Sequence, residues 1–301
     1  MMKRKAYLYI MLAAALWGGT GVFVRILTAD GFSPIQIAVL RVSVSMVLMI
    51  LYLLITDPKL LRIDWRDWGY FFGTGILSLS FFNICYFTAI QLSTLAVAAV
   101  LLYTAPMFVM LLSVLIFHET MTRSKLMALA MTFMGCVLVT GIFAGGSAAI
   151  SPLAILTGIG AGFGYGLYSI FGKFALAKYD PATVSVYTFI FGFFGIVPFA
   201  GMHSVVPLLL LPKTWACALG TGILCCILPY LFYSKGLAVV EPSRAAILAT
   251  VEPVVAAILG IMFFHEMMTW PKLLGIALIL AAILVLNRKT APQSMPQSES
   301  V

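Results

Sequence analysis

Phe117-His118-Glu119-Thr120-Met121-Thr122-Arg123-Ser124-Lys125 returns further along the chain as Phe264-His265-Glu266-Met267-Met268-Thr269-Trp270-Pro271-Lys272. The aromatic, the His-Glu pair, the threonine and the lysine keep their spacing at an offset of 147 residues. The same offset lays Trp68 on Trp215 and Gly73-Thr74-Gly75-Ile76-Leu77 on Gly220-Thr221-Gly222-Ile223-Leu224. It also lays Tyr86 on Tyr233, Pro106 on Pro253 and Pro34 on Pro181, the last two each behind a capping-type residue, Ser33 or Asp180. An apolar chain produces chance Leu and Ala matches, but not this ordered set of Trp, Pro, His-Glu and Lys. The chain is a duplication.

What is duplicated follows from composition. Hydrophobic residues make up 62% of the 301 positions and charged residues 9%, and the mean hydropathy is +1.10. Soluble domains carry about 45–50% apolar and about 25% charged residues, so there are too few charges here to cover a soluble core. Hydrocarbon is the solvent that fits, and there only helices or closed barrels satisfy their backbone. Barrel strands alternate in polarity over about ten residues. These runs are apolar for about twenty, so the fold is all-α. The basic Lys3-Arg4-Lys5 before the first run, with Ala13-Ala14-Ala15 inside it, has the look of a signal peptide. The run continues to Val24, too long for one, and reads as an uncleaved first span.

Breaks in hydrophobicity give ten spans, near 6–27, 34–56, 66–89, 94–117, 124–143, 152–173, 181–201, 214–238, 243–264 and 270–288. With the N-terminus inside, fourteen basic residues fall on the inner side: Lys3, Arg4, Lys5, Lys59, Arg62, Arg66, Arg123, Lys125, Lys173, Lys178, Lys235, Arg244, Arg288 and Lys289. Three, Arg25, Lys213 and Lys272, fall outside. That asymmetry puts both termini in the cytoplasm and accounts for the formal charge of +8 without nucleic acid. Residues 1–147 and 148–288 then form two five-span repeats, and 289–301 a polar, disordered tail. Five is odd, so the second repeat crosses in the opposite sense. Two halves related in this way can exchange conformations around a central site, which points to transport by alternating access.

Leu16-Trp17-Gly18-Gly19, Leu40-Arg41, Pro106 and Glu252-Pro253, with the two His-Glu exits, resemble the drug/metabolite transporter superfamily in its EamA-type branch. The similarity spans residues 6–288. It implies a secondary transporter in a bacterial-type cell membrane, often exporting amino acids or related metabolites, with no ATP-hydrolysing part and no cofactor. A drug or other organic-solute carrier is the neighbouring reading. An intramembrane lipid-modifying enzyme is the reading from another class, and it would need converging His, Asp, Glu or Cys groups that the sequence does not offer. A monomer and a homodimer remain equally open.

The residues able to do the work are few. Arg41 lies about two turns into the second span, where it either meets an anionic substrate group or is a structural residue that snorkels outward or bonds to backbone carbonyls. Thr188 takes its place in the second repeat. Glu252 lies in the ninth span, opposite Ala105 in the first repeat. A carboxyl group in hydrocarbon favours its neutral form, so Glu252 is the candidate for proton coupling or for binding a substrate amine. Pro106 and Pro253 free the carbonyls of Leu102 and Ala249 and are the gating candidates. Trp17, Asn83, Tyr86, Tyr103, Tyr165, Tyr168, Tyr230 and Tyr233 form the expected cavity wall, while Trp65, Trp68, Trp215 and Trp270 read as interface anchors. Gly158, Gly162 and Gly166 form a small-residue packing face and not a phosphate loop. His118-Glu119 and His265-Glu266 lack the final His of a zinc motif, so no metal is expected. The five cysteines read as packing residues.

Overall fold

A computed structural model of the chain describes residues 2–142 and 151–287. The expected tail, 289–301, lies outside them, as do Arg288 and Lys289. Among the described residues every regular element is helical. Nine helices among these residues are long and apolar enough to cross a membrane. They are α1 (Lys3–Ala29), α2 (Pro34–Thr56), α3 (Trp65–Leu92), α4 (Leu95–Phe117), α5 (Arg123–Thr140), α6 (Pro152–Ala175), α7 (Pro181–Phe199), α8 (Pro212–Val239) and α9 (Pro242–Phe264). A shorter apolar helix, α10 (Trp270–Leu286), closes the described chain. The chain is a multi-pass membrane protein. Leucine, isoleucine and phenylalanine side chains stand exposed along these helices, and Trp65, Trp68, Trp215 and Trp270 lie exposed close to helix ends.

Helix starts follow their caps. Gln36 Oε1 accepts from the Ser33 backbone N–H at 2.9 Å ahead of α2, and Asp180 Oδ1 accepts from the Ala182 N–H at 2.8 Å ahead of α7. The proline helices break one turn early. In α4 the helix stops at Leu102 and resumes at Ala105, and in α9 it stops at Ala249 and resumes at Val251. These are the residues whose carbonyls Pro106 and Pro253 leave without an N–H. Two further interruptions are invisible in the hydrophobic pattern: π-helical turns at Gly73–Ser80 in α3 and Ile223–Ile227 in α8. Ser80 Oγ reaches the Gly75 carbonyl, five residues back, at 2.9 Å.

Contacts recur at the repeat offset with the halves exchanged. A Cβ on Gly75 of α3 would lie 3.0 Å from the Thr188 carbonyl of α7 and 2.3 Å from Phe191 Cβ. A Cβ on Gly222 of α8 would lie 3.5 Å from the Arg41 carbonyl of α2 and 2.9 Å from Val44 Cγ1. Only glycine permits the first approach. One residue out of that register, ion pairs make a similar exchange: Lys178, before α7, pairs with Asp67 of α3 at 2.7 Å, and Lys213 of α8 pairs with Asp30, before α2, at 2.7 Å. Gly158, Gly162 and Gly166 of α6 pack on Leu101, Thr104 and Val109 of α4. The core lies where α1, α8 and α9 meet, around Ile10, Tyr233 and Leu248, with a second cluster between α2 and α7 around Met49 and Phe189.

Candidate functional site

Gly18, the first glycine after Trp17, lets α1 pack directly on α9. A Cβ on Gly18 would lie 2.7 Å from the Glu252 carbonyl, so α1 and α9 touch backbone to backbone there. Trp17 and Glu252 are thereby brought onto one wall. They line a cavity of about 800 Å³ with Arg41, Asn83, Tyr86, Tyr103, Tyr165, Tyr230 and Pro253. Thr20, Phe82 and Cys225 also face it. Tyr165 donates to Glu252 Oε2 at 3.1 Å. Trp17 packs edge-on against Tyr165 and Tyr230, with centroids 6.1 and 5.6 Å apart.

Arg41 sits opposite in character. Its Nη2 donates to Asn83 Oδ1 at 3.3 Å, and Asn83 is held by its own Nδ2 donating to the Leu79 carbonyl at 2.6 Å. Arg41 Nε is buried without a protein partner, and Arg41 takes part in no ion pair among the described residues. The other repeat shows what was given up. There Thr188 Oγ1 donates to Thr74 Oγ1 at 2.8 Å, whereas Thr221, at the Thr74 position beside Arg41, has a buried hydroxyl with no partner. An arginine in place of that threonine therefore leaves one hydroxyl unsatisfied and presents a guanidinium to the cavity.

Tyr168 and Tyr233, expected on the wall, lie behind it instead. Tyr168 OH meets Ser234 Oγ at 2.8 Å and Tyr233 OH meets Ser169 Oγ at 2.7 Å, a reciprocal clasp of α6 on α8. Adjacent Tyr-Ser pairs on both helices satisfy each other's hydroxyls, which draws these rings out of the cavity. Pro106 lies beside a separate small space with Tyr103 and Glu252, not on the main wall.

The cavity reaches one end of the molecule, where Arg25, Glu266 and Lys272 line it. Arg25 donates to Glu266 Oε1, and Lys272 Nζ lies 3.0 Å from Glu266 Oε2. Burial opposes the charge on Glu266, yet these two cations hold its carboxyl below the ordinary glutamate range. The opposite end is sealed. Lys125, 2% exposed, lies 2.8 Å from Glu119 Oε2 and 2.9 Å from Glu241 Oε2, and Ser243 donates to Glu119 Oε2. Lys173 adds three bonds to the Leu237, Ala238 and Val240 carbonyls at 2.8, 3.2 and 3.1 Å.

Both His-Glu motifs thus resolve into one device. His118 and His265 adopt left-handed backbone with φ of 53°, ending α4 and α9. Thr122 and Thr269 then face the backbone N–H of Lys125 and Lys272 at 3.2 and 3.5 Å, and each lysine returns to the glutamate. Among the described residues no cluster of three His, Cys, Asp or Glu groups could hold a metal.

Helices that span a bilayer around one charged, aromatic cavity define a polytopic solute-carrying membrane protein. The chain belongs to the EamA-like transporter family, which matches over residues 4–141 and again over 152–288. It is similar to an uncharacterized transporter of Archaeoglobus fulgidus, 31% identical and covering 93% of this chain and 95% of that one. It is likewise similar to the uncharacterized transporter YwfM of Bacillus subtilis, 26% identical with 99% of each chain covered. A solved crystal structure shares the fold at a TM-score of 0.79 and 19% identity, covering 94% of this chain and 96% of that chain. The protein is a membrane transporter.

Proposed function

We propose that the chain is a secondary active transporter that carries small dipolar metabolites, amino acids foremost, out across the cytoplasmic membrane by alternating access. The observation that carries this reading is one cavity in which Arg25, Glu266 and Lys272 pair among themselves at the mouth, while Arg41 and Glu252, farther in, share no ion pair with each other or with them. An unpaired guanidinium and an ionisable carboxyl in a low-dielectric site are costly, and a solute bearing a carboxylate and an amine answers both. Arg41 takes the carboxylate, Glu252 the amine, and Trp17, Tyr165 and Tyr230 the apolar remainder.

The same reading makes α10 a tenth span and residues 1–147 and 148–288 inverted five-helix repeats, supported by the exchanged contacts of Gly75 with Thr188 and Gly222 with Arg41. Both termini then face the cytoplasm and the Arg25 end faces outward. The breaks before Pro106 and Pro253 serve as hinges. Glu252 also serves as the proton site, exchanging its proton for the substrate amine.

Uptake into proteoliposomes of labelled amino acids, amines and carboxylates, with and without a pH gradient, tests this. Gradient-sensitive flux of the dipolar solutes is expected. Flux of single-charge solutes alone, or none, rejects it.

A further inference from the structure

The repeat offset places the two ends of the molecule in register, and they are not equally equipped. At the sealed end the Glu119–Lys125 corner of the first half is met by Glu241 and Ser243 from the start of α9 in the second half. At the open end the equivalent corner is Glu266–Lys272, and the residues at the Glu241 and Ser243 positions are Thr94 and Ala96, at the start of α4. Leu95 and Ala96 line the same cavity as Glu266 and Lys272, and the repeat offset makes the start of α4 the counterpart of the start of α9.

We propose that these two corners are the transporter's gates, and that their unequal polar equipment biases the resting protein toward the state open at the Arg25 end. The inference rests on alternating access as proposed above. Closing the Arg25 end brings the start of α4 onto Glu266–Lys272, as the start of α9 now lies on Glu119–Lys125. Alanine at 96 has no hydroxyl to give Glu266, and threonine at 94 has no charge to give Lys272. The sealed end, by contrast, gains a hydroxyl on Glu119 and a second carboxylate on a lysine that is 2% exposed. Arg25 further favours the open state, because it occupies Glu266 while the gate stands apart and has Gly172 as its counterpart in the other half.

The test is the sidedness of a cysteine placed at Ala256, on the cavity wall, in right-side-out and inverted membrane vesicles. A membrane-impermeant methanethiosulfonate reagent is used, and labelling is counted above that of the chain without the added cysteine. The reporter is expected to react from both faces, faster from the Arg25 end. Ser243→Ala weakens the sealed gate, and Thr94→Glu with Ala96→Ser arms the other. Both are expected to shift the ratio of rates toward the Lys125 end by about tenfold, the worth of one charge-assisted hydrogen bond. The second variant removes no buried pair, so loss of folding in the first does not decide the matter. A reporter that reacts from both faces with an unchanged ratio in the variants overturns the gate assignment alone. A reporter that reacts from one face in every chain overturns alternating access and the gates with it.

Discussion

Replacing Lys125 by methionine keeps the length of the side chain and removes its charge. The lysine side chain is 2% exposed and Glu119 6%, and the two lie 2.8 Å apart. Glu119 Oε1 already has no partner, so the variant leaves a buried carboxylate held only by the Ser243 hydroxyl. Breaking one side of a buried pair costs about 3–5 kcal/mol. Lys272→Met is the internal control, because it makes the same change in the same motif at the other end. There the lysine and Glu266 are 17% and 30% exposed and Arg25 remains on the glutamate, so the cost falls near the surface-pair range of about 0–1 kcal/mol. Thermal unfolding of the two variants in detergent, followed by size-exclusion fluorescence, reads the difference. Lys125→Met is expected to lower the midpoint by about 5–10 °C and Lys272→Met by about 0–2 °C. Equal losses would refute the assignment of a buried, sealed end, and so would a larger loss for Lys272→Met.

Four further outcomes follow from the geometry. Tyr165→Phe removes the 3.1 Å bond to Glu252 and is expected to weaken solute binding about tenfold in counterflow with little loss of stability, whereas Tyr168→Phe, which breaks the clasp on Ser234, does the reverse. Gly75→Ala drives a Cβ to 2.3 Å from Phe191 Cβ and is expected to cost about 1–3 kcal/mol in a denaturation assay; a neutral result would mean that α3 and α7 are not in contact. Glu241 is held below the ordinary 4.5: burial opposes its charge, and Lys125 and Arg244 outweigh that. A depressed carboxyl stabilises above its unfolded value and loses that contribution as pH falls through its folded value, so the melting midpoint should drop on acidification below about pH 4.5, with a shallower drop in Glu241→Gln. Glu252→Gln should abolish the pH-gradient dependence of flux; an unchanged response removes Glu252 from coupling.

The helices were legible because burial in hydrocarbon forces continuous apolar runs, and α2 and α4 start and end within a residue of the breaks in hydropathy. The proline breaks were legible too, since Pro106 and Pro253 cannot satisfy the carbonyls of Leu102 and Ala249. The π-turns of α3 and α8 were not, because a hydrophobic pattern carries no mark of an extra residue per turn. The Gly-Thr-Gly repeat is their only trace, and it reads equally as close packing. Side-chain direction was the other limit. Tyr165 and Tyr168 are one helical turn apart on α6, yet one turns to Glu252 and the other to Ser234. The partner lies on another helix, where no local spacing records it. Arg25 and Glu266, 241 positions apart, meet for the same reason.

Solute counterflow with a charge-capped series measures the central claim, that Arg41 and Glu252 together read a dipolar solute. Proteoliposomes loaded with unlabelled amino acids are challenged with labelled zwitterions alongside excess N-acetylated or methyl-esterified forms of the same solutes. The account predicts that neither capped form competes, that Arg41→Gln abolishes the distinction between the zwitterion and its ester, and that Glu252→Gln abolishes the distinction between the zwitterion and its N-acetyl form. Capped forms that compete as well as the zwitterions in the parent chain would contradict it.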